Sequence, residues 1–262
     1  LLCEYICKMM TSKEIKNKYT DLKFDEPTHE YTVNGKRLIA ASNVVHGFVD
    51  EFDTQGIAQA VANRDGKTKE EVIQGWDDIN KKAINLGNET HLFAEKYAYA
   101  RFVEGSDLSE HIADTPQKIA VIKYWNDMPN HITPAGFELQ MYSKNYGFAG
   151  TCDILLYNSI TQKYILADYK TNKNIFKNYK EKMMLPPFHY MLDMYYNHYQ
   201  IQLSLYHMLL EEAGFEVESR QIVWLQSDSS YVIYGTKDFG KMLKTYFNED
   251  WRRNTACIEF VL

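Results

Sequence analysis

The sequence predicts an α/β protein, and three stretches carry that prediction. Between Glu138 and Thr171 short runs alternate in polarity, Phe137–Tyr142, Cys152–Tyr157 and Tyr164–Tyr169. They are separated by a turn with Gly147 and Gly150 and by a polar turn at Asn158–Lys163, the pattern of two or three strands. Upstream, residues 77–104 place Ile79, Ala83, Leu86, Leu92, Phe93 and Tyr97 at mixed spacings of three and four, which predicts a helix. Downstream, Asp193–Ala213 reads as a second long helix closed by Gly214.

The remaining elements follow in chain order. Residues 11–23 put Ile15, Tyr19 and Leu22 at helical spacing, so a short amphipathic helix is expected there. Glu30–Val33 and Lys36–Ala40 flank Asn34-Gly35, a pair suited to a type I′ hairpin because both turn positions need positive φ. A helical pattern opens at Ser42, with Ser42 or Asn43 as its cap, and runs on through residues 54–63 to a break at Arg64-Asp-Gly66-Lys. Thr68 and Glu71 form a capping-box pattern before Val72, Ile73 and Trp76. This region reads as a helical lobe without a catalytic constellation of its own. Residues 107–128 are expected as a further helix ending at Met128-Pro129, Gln221–Gln226 and Tyr231–Tyr234 as two more strands, and Asp238 to about Trp251 as a terminal helix.

With 262 residues, 45% of them hydrophobic, the chain has material for a sizeable core, and no repeat or long linker divides it. No window approaches the roughly 18 apolar residues of a membrane span. Nor do the first ten residues read as a secretory signal, so a cytoplasmic location is expected. Four scattered cysteines, Cys3, Cys7, Cys152 and Cys257, contain no C-x-x-C pair and are expected as free thiols, without structural zinc. The net charge of −6 argues against indiscriminate binding to nucleic acid. A local basic surface remains open to it, because Lys163, Lys170, Lys173, Lys177, Lys180 and Lys182 face only Asp168 and Glu181 in that interval.

The candidate chemistry centres on the strand pair. Asp153 and Asp168 fall on neighbouring strands, and Lys170 shares the side of Asp168 while Tyr169 turns away, since side chains alternate along a strand. An isolated D-x-K would read as a surface pair. The apolar run Tyr164-Ile-Leu-Ala before it argues for burial, and a buried charge needs a partner or a metal. On the upstream helix Gly87, costing about 1 kcal/mol against Ala, suggests a close approach. His91 and Glu95 lie one and two turns beyond it on the same face.

These residues carry a resemblance. Gly150-Thr-Cys-Asp153, followed by a hydrophobic strand ending in Asp168-Tyr-Lys170-Thr, resembles the core of the PD-(D/E)XK nuclease superfamily in its RecB-like exonuclease branch. Gly87, His91 and Glu95 match that branch's G-x-x-x-H-x-x-x-E helix, although Asn88 stands where relatives often have Thr. Gln202 and Tyr206 match its Q-x-x-x-Y helix, and Phe24-Asp25 with His29 and Tyr31 before the hairpin looks like the opening of phage-type members.

The resemblance implies a single domain over residues 1–262 with a restriction-endonuclease-like core: a central mixed β-sheet flanked by helices. Residues 24–130 would form the N-terminal β-hairpin and helical lobe, 131–235 the catalytic sheet and Q-x-x-x-Y helix, and 236–262 the terminal helix. It also implies a metal-dependent DNA nuclease, an exonuclease, acting in DNA processing, recombination or repair. Asp153, Asp168 and Lys170 would be catalytic. Mg²⁺ or Mn²⁺ would be held by His91, Asp153, Asp168 and the Tyr169 carbonyl, with Glu95 and Glu138 as further ligands. Gln202, Tyr206 and Lys173 would contact DNA, a recombination or replication protein would be a partner, and no membrane is involved. The host cytoplasm is the expected location if the chain is phage-encoded. Iron–sulfur relatives cluster three cysteines near the C-terminus, where this chain has only Cys257, so no such cluster is expected. The competing expectation is a catalytically silent DNA-binding or recombination-partner protein of the same fold.

Overall fold

Eight strands form one mixed sheet in the computed structural model, which describes residue 14, residues 16–25 and residues 28–251. Strand β1 (Leu22–Asp25) precedes the predicted hairpin of β2 (Glu30–Val33) and β3 (Lys36–Ala40). Asn34 and Gly35 turn that hairpin with φ of 51° and 78°, as a type I′ turn requires. β1 occupies the end of the segment expected as an amphipathic helix, and Leu22 pairs with Val33 in the sheet.

The helical lobe begins with α1 (Ala41–His46), α2 (Thr54–Asp65) and α3 (Lys69–Tyr99). α1 starts one residue ahead of the expected cap, and no side chain caps it. α2 is capped by Asp53, whose carboxylate accepts from the Gly56 amide at 2.9 Å. Thr68 and Glu71 form the reciprocal capping box at the start of α3, satisfying two otherwise orphaned amides.

α3 is longer at its start than expected, and its buried face is different. Val72, Thr90, Phe93, Ala94, Tyr97 and Ala98 are buried, whereas Ile79 and Leu92 are exposed. The first half of α3 packs on α2 through Val72 against Ala58 and Ala62 and on Phe52 through Trp76, and this thin layer leaves Ile79 uncovered. A π-turn over Ala100–Glu104 ends the helix. The next helix, α4 (Pro116–Asn126), starts later than predicted. Thr115 caps it and Pro116 opens it, a position where the missing amide costs nothing.

The sheet then builds through β4 (Ile132–Tyr142), β5 (Phe148–Asn158) and β6 (Lys163–Lys170). After α5 (Tyr195–Glu212) come β7 (Val217–Leu225), β8 (Tyr231–Gly235) and α6 (Gly240–Tyr246). β4, β5 and β6 are antiparallel neighbours, β7 runs parallel to β6, and β8 returns antiparallel to β7. α5 and α6 each start later than expected, and Gly150, expected in a turn, lies within β5.

Two apolar layers cover the sheet. α5 packs on one face with Leu155, Leu166 and Ile222. α3 and α4 pack on the other with Ile154, Leu156, Ala167 and Tyr169. Alternation along β6 therefore places Asp168 with Leu166 on the α5 face and Tyr169 on the face of α3.

One irregularity positions the site. Ala149 pairs with both Ala40 of β3 and Tyr142 of β4, and Leu155 with both Gly136 of β4 and Leu166 of β6. So β3 and β6 share one edge of β5. Between them residues 150–153 have no strand on that edge, because β5 and β6 stop pairing after Ile154 and Ala167. Among the described residues, no helix is long and apolar enough to cross a membrane.

Candidate metal centre

Asp153 is the last residue of that open segment, and its carboxylate turns toward β6. Oδ2 accepts from the Tyr169 amide at 2.9 Å, a ladder position that β5 itself leaves vacant. From the opposite layer α3 delivers His91, whose Nδ1 lies 3.3 Å from the same oxygen. Its Nε2 lies 3.2 Å from the Tyr169 carbonyl. With Nε2 donating to that carbonyl, the Nδ1 lone pair faces the Asp153 carboxylate, and the second hydrogen bond fixes ring orientation as in metal-ligating imidazoles.

Glu138 completes the group. Ligand atoms of His91, Glu138 and Asp153 all lie within 4.8 Å of one another. Glu138 holds φ at 46° in the middle of β4, where a non-glycine side chain pays for its conformation. That strain keeps a carboxylate in an acidic, half-buried spot. Burial first, then the charges of Asp153, Glu95 and Asp168, push its pKa up to about 9. Without metal the raised Glu138 carboxyl keeps its proton between its acidic neighbours, and a cation that displaces that proton would find one nitrogen and two carboxylates, a set that suits Mn²⁺ or Mg²⁺.

Asp168 and Lys170 stand beside this group. Nζ of Lys170 is 2.5 Å from Asp168 Oδ2. The contact is a charge-assisted pair between a buried carboxylate and a largely enclosed ammonium. Burial, then Asp153, raise the Asp168 pKa to about 6 against the opposing pull of Lys170. For Lys170, burial favours loss of the proton, but Asp168, Tyr199 and Asp153 together outweigh it and hold the pKa above the ordinary lysine value. The ammonium also rests over the Tyr199 ring, 4.5 Å from its centroid.

The expected site residues thus divide. His91, Asp153 and Glu138 form the closest group, with the Tyr169 carbonyl against the imidazole. Asp168, expected as a ligand, lies outside the triad because its carboxylate is turned to Lys170. Glu95 also falls outside it, near enough to act on Glu138 by charge. Arg101 donates to Asn126 Oδ1 at 2.5 Å.

Tyr206, expected to touch DNA, is enclosed, with 5% of its surface exposed and its hydroxyl accepting from Gln202 Nε2 at 2.7 Å. Its ring packs against β5, where a Cβ added at Gly150 would stand 2.5 Å from Tyr206 Cε1. The glycine of the Gly-Thr-Cys-Asp motif is therefore a packing requirement of the Tyr206 helix. Gly87 is not under such pressure. A Cβ there would meet Thr171 Oγ1 at 3.7 Å, an ordinary contact, so the suspected close approach is absent. Lys173 is exposed. Cys152 is buried and free, while Cys3, Cys7 and Cys257 lie outside the described residues.

Tyr199 and Asn172 escaped the sequence reading. The Tyr199 hydroxyl donates to Asn172 Oδ1, and Trp224 Nε1 donates to the Asn172 carbonyl at 2.7 Å. A signal existed: Tyr199 lies two helical turns before Tyr206 on the same face of α5.

No protein-family model and no curated protein matches this chain. Among solved structures, the one titled "Crystal structure of SSO0001" is similar over 97% of this chain and 89% of its own, at 13% identity and a TM-score of 0.35, a likeness too slight to carry an argument about fold or chemistry.

Proposed function

We propose that this chain is a divalent-metal-dependent DNA nuclease with a restriction-endonuclease-like core, hydrolysing phosphodiester bonds in DNA processing, recombination or repair. The observation that carries the reading is convergence. A helix, β4 and β5 bring His91, Glu138 and Asp153 within 4.8 Å of one another, beside the Asp168–Lys170 pair on β6.

His91, Glu138 and Asp153 would hold the ion, with Asp168 as the neighbouring carboxylate. Mg²⁺ or Mn²⁺ bound there supplies Lewis acidity toward a phosphate oxygen and acidifies water. The chain's own groups account for the rest. Lys170 keeps its proton, so it acts as a fixed positive charge against a phosphate that gains negative charge during displacement, and as a donor that orients water. Asp168 holds that ammonium in place. Tyr199 limits the ammonium from beneath through its ring face.

Digestion of 5′- and 3′-labelled linear and circular DNAs, single- and double-stranded, with Mg²⁺, Mn²⁺ or chelator tests the reading. The expected result is hydrolysis with either ion, lost in chelator and in Asp153→Ala. Full-length DNA under every condition would overturn it.

A further inference from the structure

Next to Lys170 the protein carries an exposed aromatic ring that the site described above does not use. Tyr195 opens α5 with 50% of its surface exposed. Its ring stacks on Tyr199, centroids 6.1 Å apart and planes 16° from parallel. Tyr199 cannot yield, since its hydroxyl is held by Asn172 and its ring lies under the Lys170 ammonium. Tyr195 is thus backed by a fixed ring and meets the His198 ring at a steep angle with centroids 6.0 Å apart, while half of its surface stays open to solvent.

The segment leading to this ring is basic. Lys173 and Lys177 are exposed and make no ion pair among the described residues, and Phe176 between them is 40% exposed. Phe176 leans on Tyr196 with centroids 5.1 Å apart, and the Tyr196 amide donates to the Ile175 carbonyl at 2.8 Å. The segment that carries the lysines therefore lies against the first turn of the helix that carries Tyr195 and Tyr199. On a chain of net charge −6, that local combination of ammonium groups and a half-exposed, ring-backed tyrosine matches the backbone and base of a single strand.

We infer that Tyr195, backed by Tyr199, is the stacking platform for an unpaired base of the strand entering the site, with Lys173 and Lys177 along its phosphates. The inference rests on the nuclease reading of the adjoining site. A base within a duplex has both faces covered by its neighbours, so an exposed ring selects single strands or opened ends. The substrate class is accordingly unpaired DNA, entered past Tyr195 toward Lys170.

The test is anisotropy of a fluorescein-labelled oligothymidylate and of a labelled blunt hairpin duplex in Ca²⁺, with probe integrity checked on a gel. Wild type should bind the single strand more tightly than the duplex. Tyr195→Ala should weaken single-strand binding about 5- to 100-fold and leave duplex binding alone, while Tyr195→Phe should retain it within about twofold. Unchanged single-strand affinity in Tyr195→Ala, or an equal loss on both probes, would overturn the platform. Circular dichroism melting of the same variants separates a binding loss from unfolding: a Tyr195→Ala loss accompanied by a lowered Tm that Tyr195→Phe shares counts against it. Absence of metal-dependent cleavage in wild type, with the Tyr195 effect intact, would overturn the nuclease reading and leave the platform standing.

Discussion

His91 Nδ1 lies 3.3 Å from Asp153 Oδ2, joining the longest helix to the open edge of β5. With Nε2 donating to the Tyr169 carbonyl, both partners turn acceptor atoms to that contact, so it gains most from a cation. Mn²⁺ should raise the melting temperature of the wild-type protein by several degrees, because a ligand that binds only the folded state stabilises it. His91→Ala should lower Mn²⁺ affinity at least about tenfold. An unaltered titration by calorimetry would remove His91 from the ligand set.

Lys170 and Asp168 are each other's principal counter-charge in a buried setting. Lys170→Ala should destabilise the metal-free protein by about 3 kcal/mol, the usual order when one member of a buried pair is lost. It should also reduce kcat by about 100-fold or more. Urea melts and cleavage rates check the two effects separately. A variant with full stability and full activity would remove Lys170 from both roles.

The pH dependence follows from two raised carboxyl groups. Glu138, at about 9, and Asp168, at about 6, hold protons in the folded state that the unfolded chain has released. Their burial therefore costs least at low pH, and metal-free stability should fall as pH rises, through the Asp168 range and on toward 9 for Glu138. Glu138→Gln should flatten the upper part of that decline. Mn²⁺ competes with the same proton, so its affinity should increase over this window. Tm measured from pH 5 to 9, with and without Mn²⁺, is the check, and a metal-free Tm that climbs across the window would reverse the assignment.

Two glycines should respond in opposite ways to alanine. Gly150→Ala drives a methyl into the Tyr206 ring and should cost about 1–3 kcal/mol, as overpacking does. Gly87→Ala meets only ordinary contact with Thr171 and should stabilise the helix by about 0.5–1 kcal/mol. Chemical denaturation of both variants settles the pair. A neutral Gly150→Ala would show that Tyr206 moves aside.

Much of the chain was legible from local chemistry. The hairpin turned by Asn34-Gly35 and the capping box of Thr68 and Glu71 appear where the sequence places them, because turn geometry and amide capping involve residues close in the chain. The alternation that puts Asp168 and Lys170 on one side of β6 is likewise a local rule. The exposed Ile79 and Leu92 mark where such rules run out. Helical periodicity names candidate faces, but only the neighbouring layer decides which face is covered.

By itself, the sequence determined most of the strands and helices, though not β1 or several helix starts, and which residue types carry charge along them. Tertiary structure alone decided the composition of the site. The split that leaves residues 150–153 open on one edge, the strained backbone of Glu138, the turning of Asp168 to Lys170 and the enclosure of Tyr206 against Gly150 all arise from contacts between segments distant in the chain. Periodicity reports what a residue's own strand or helix does with it, whereas the energy of a buried charge depends on which distant groups pack around it.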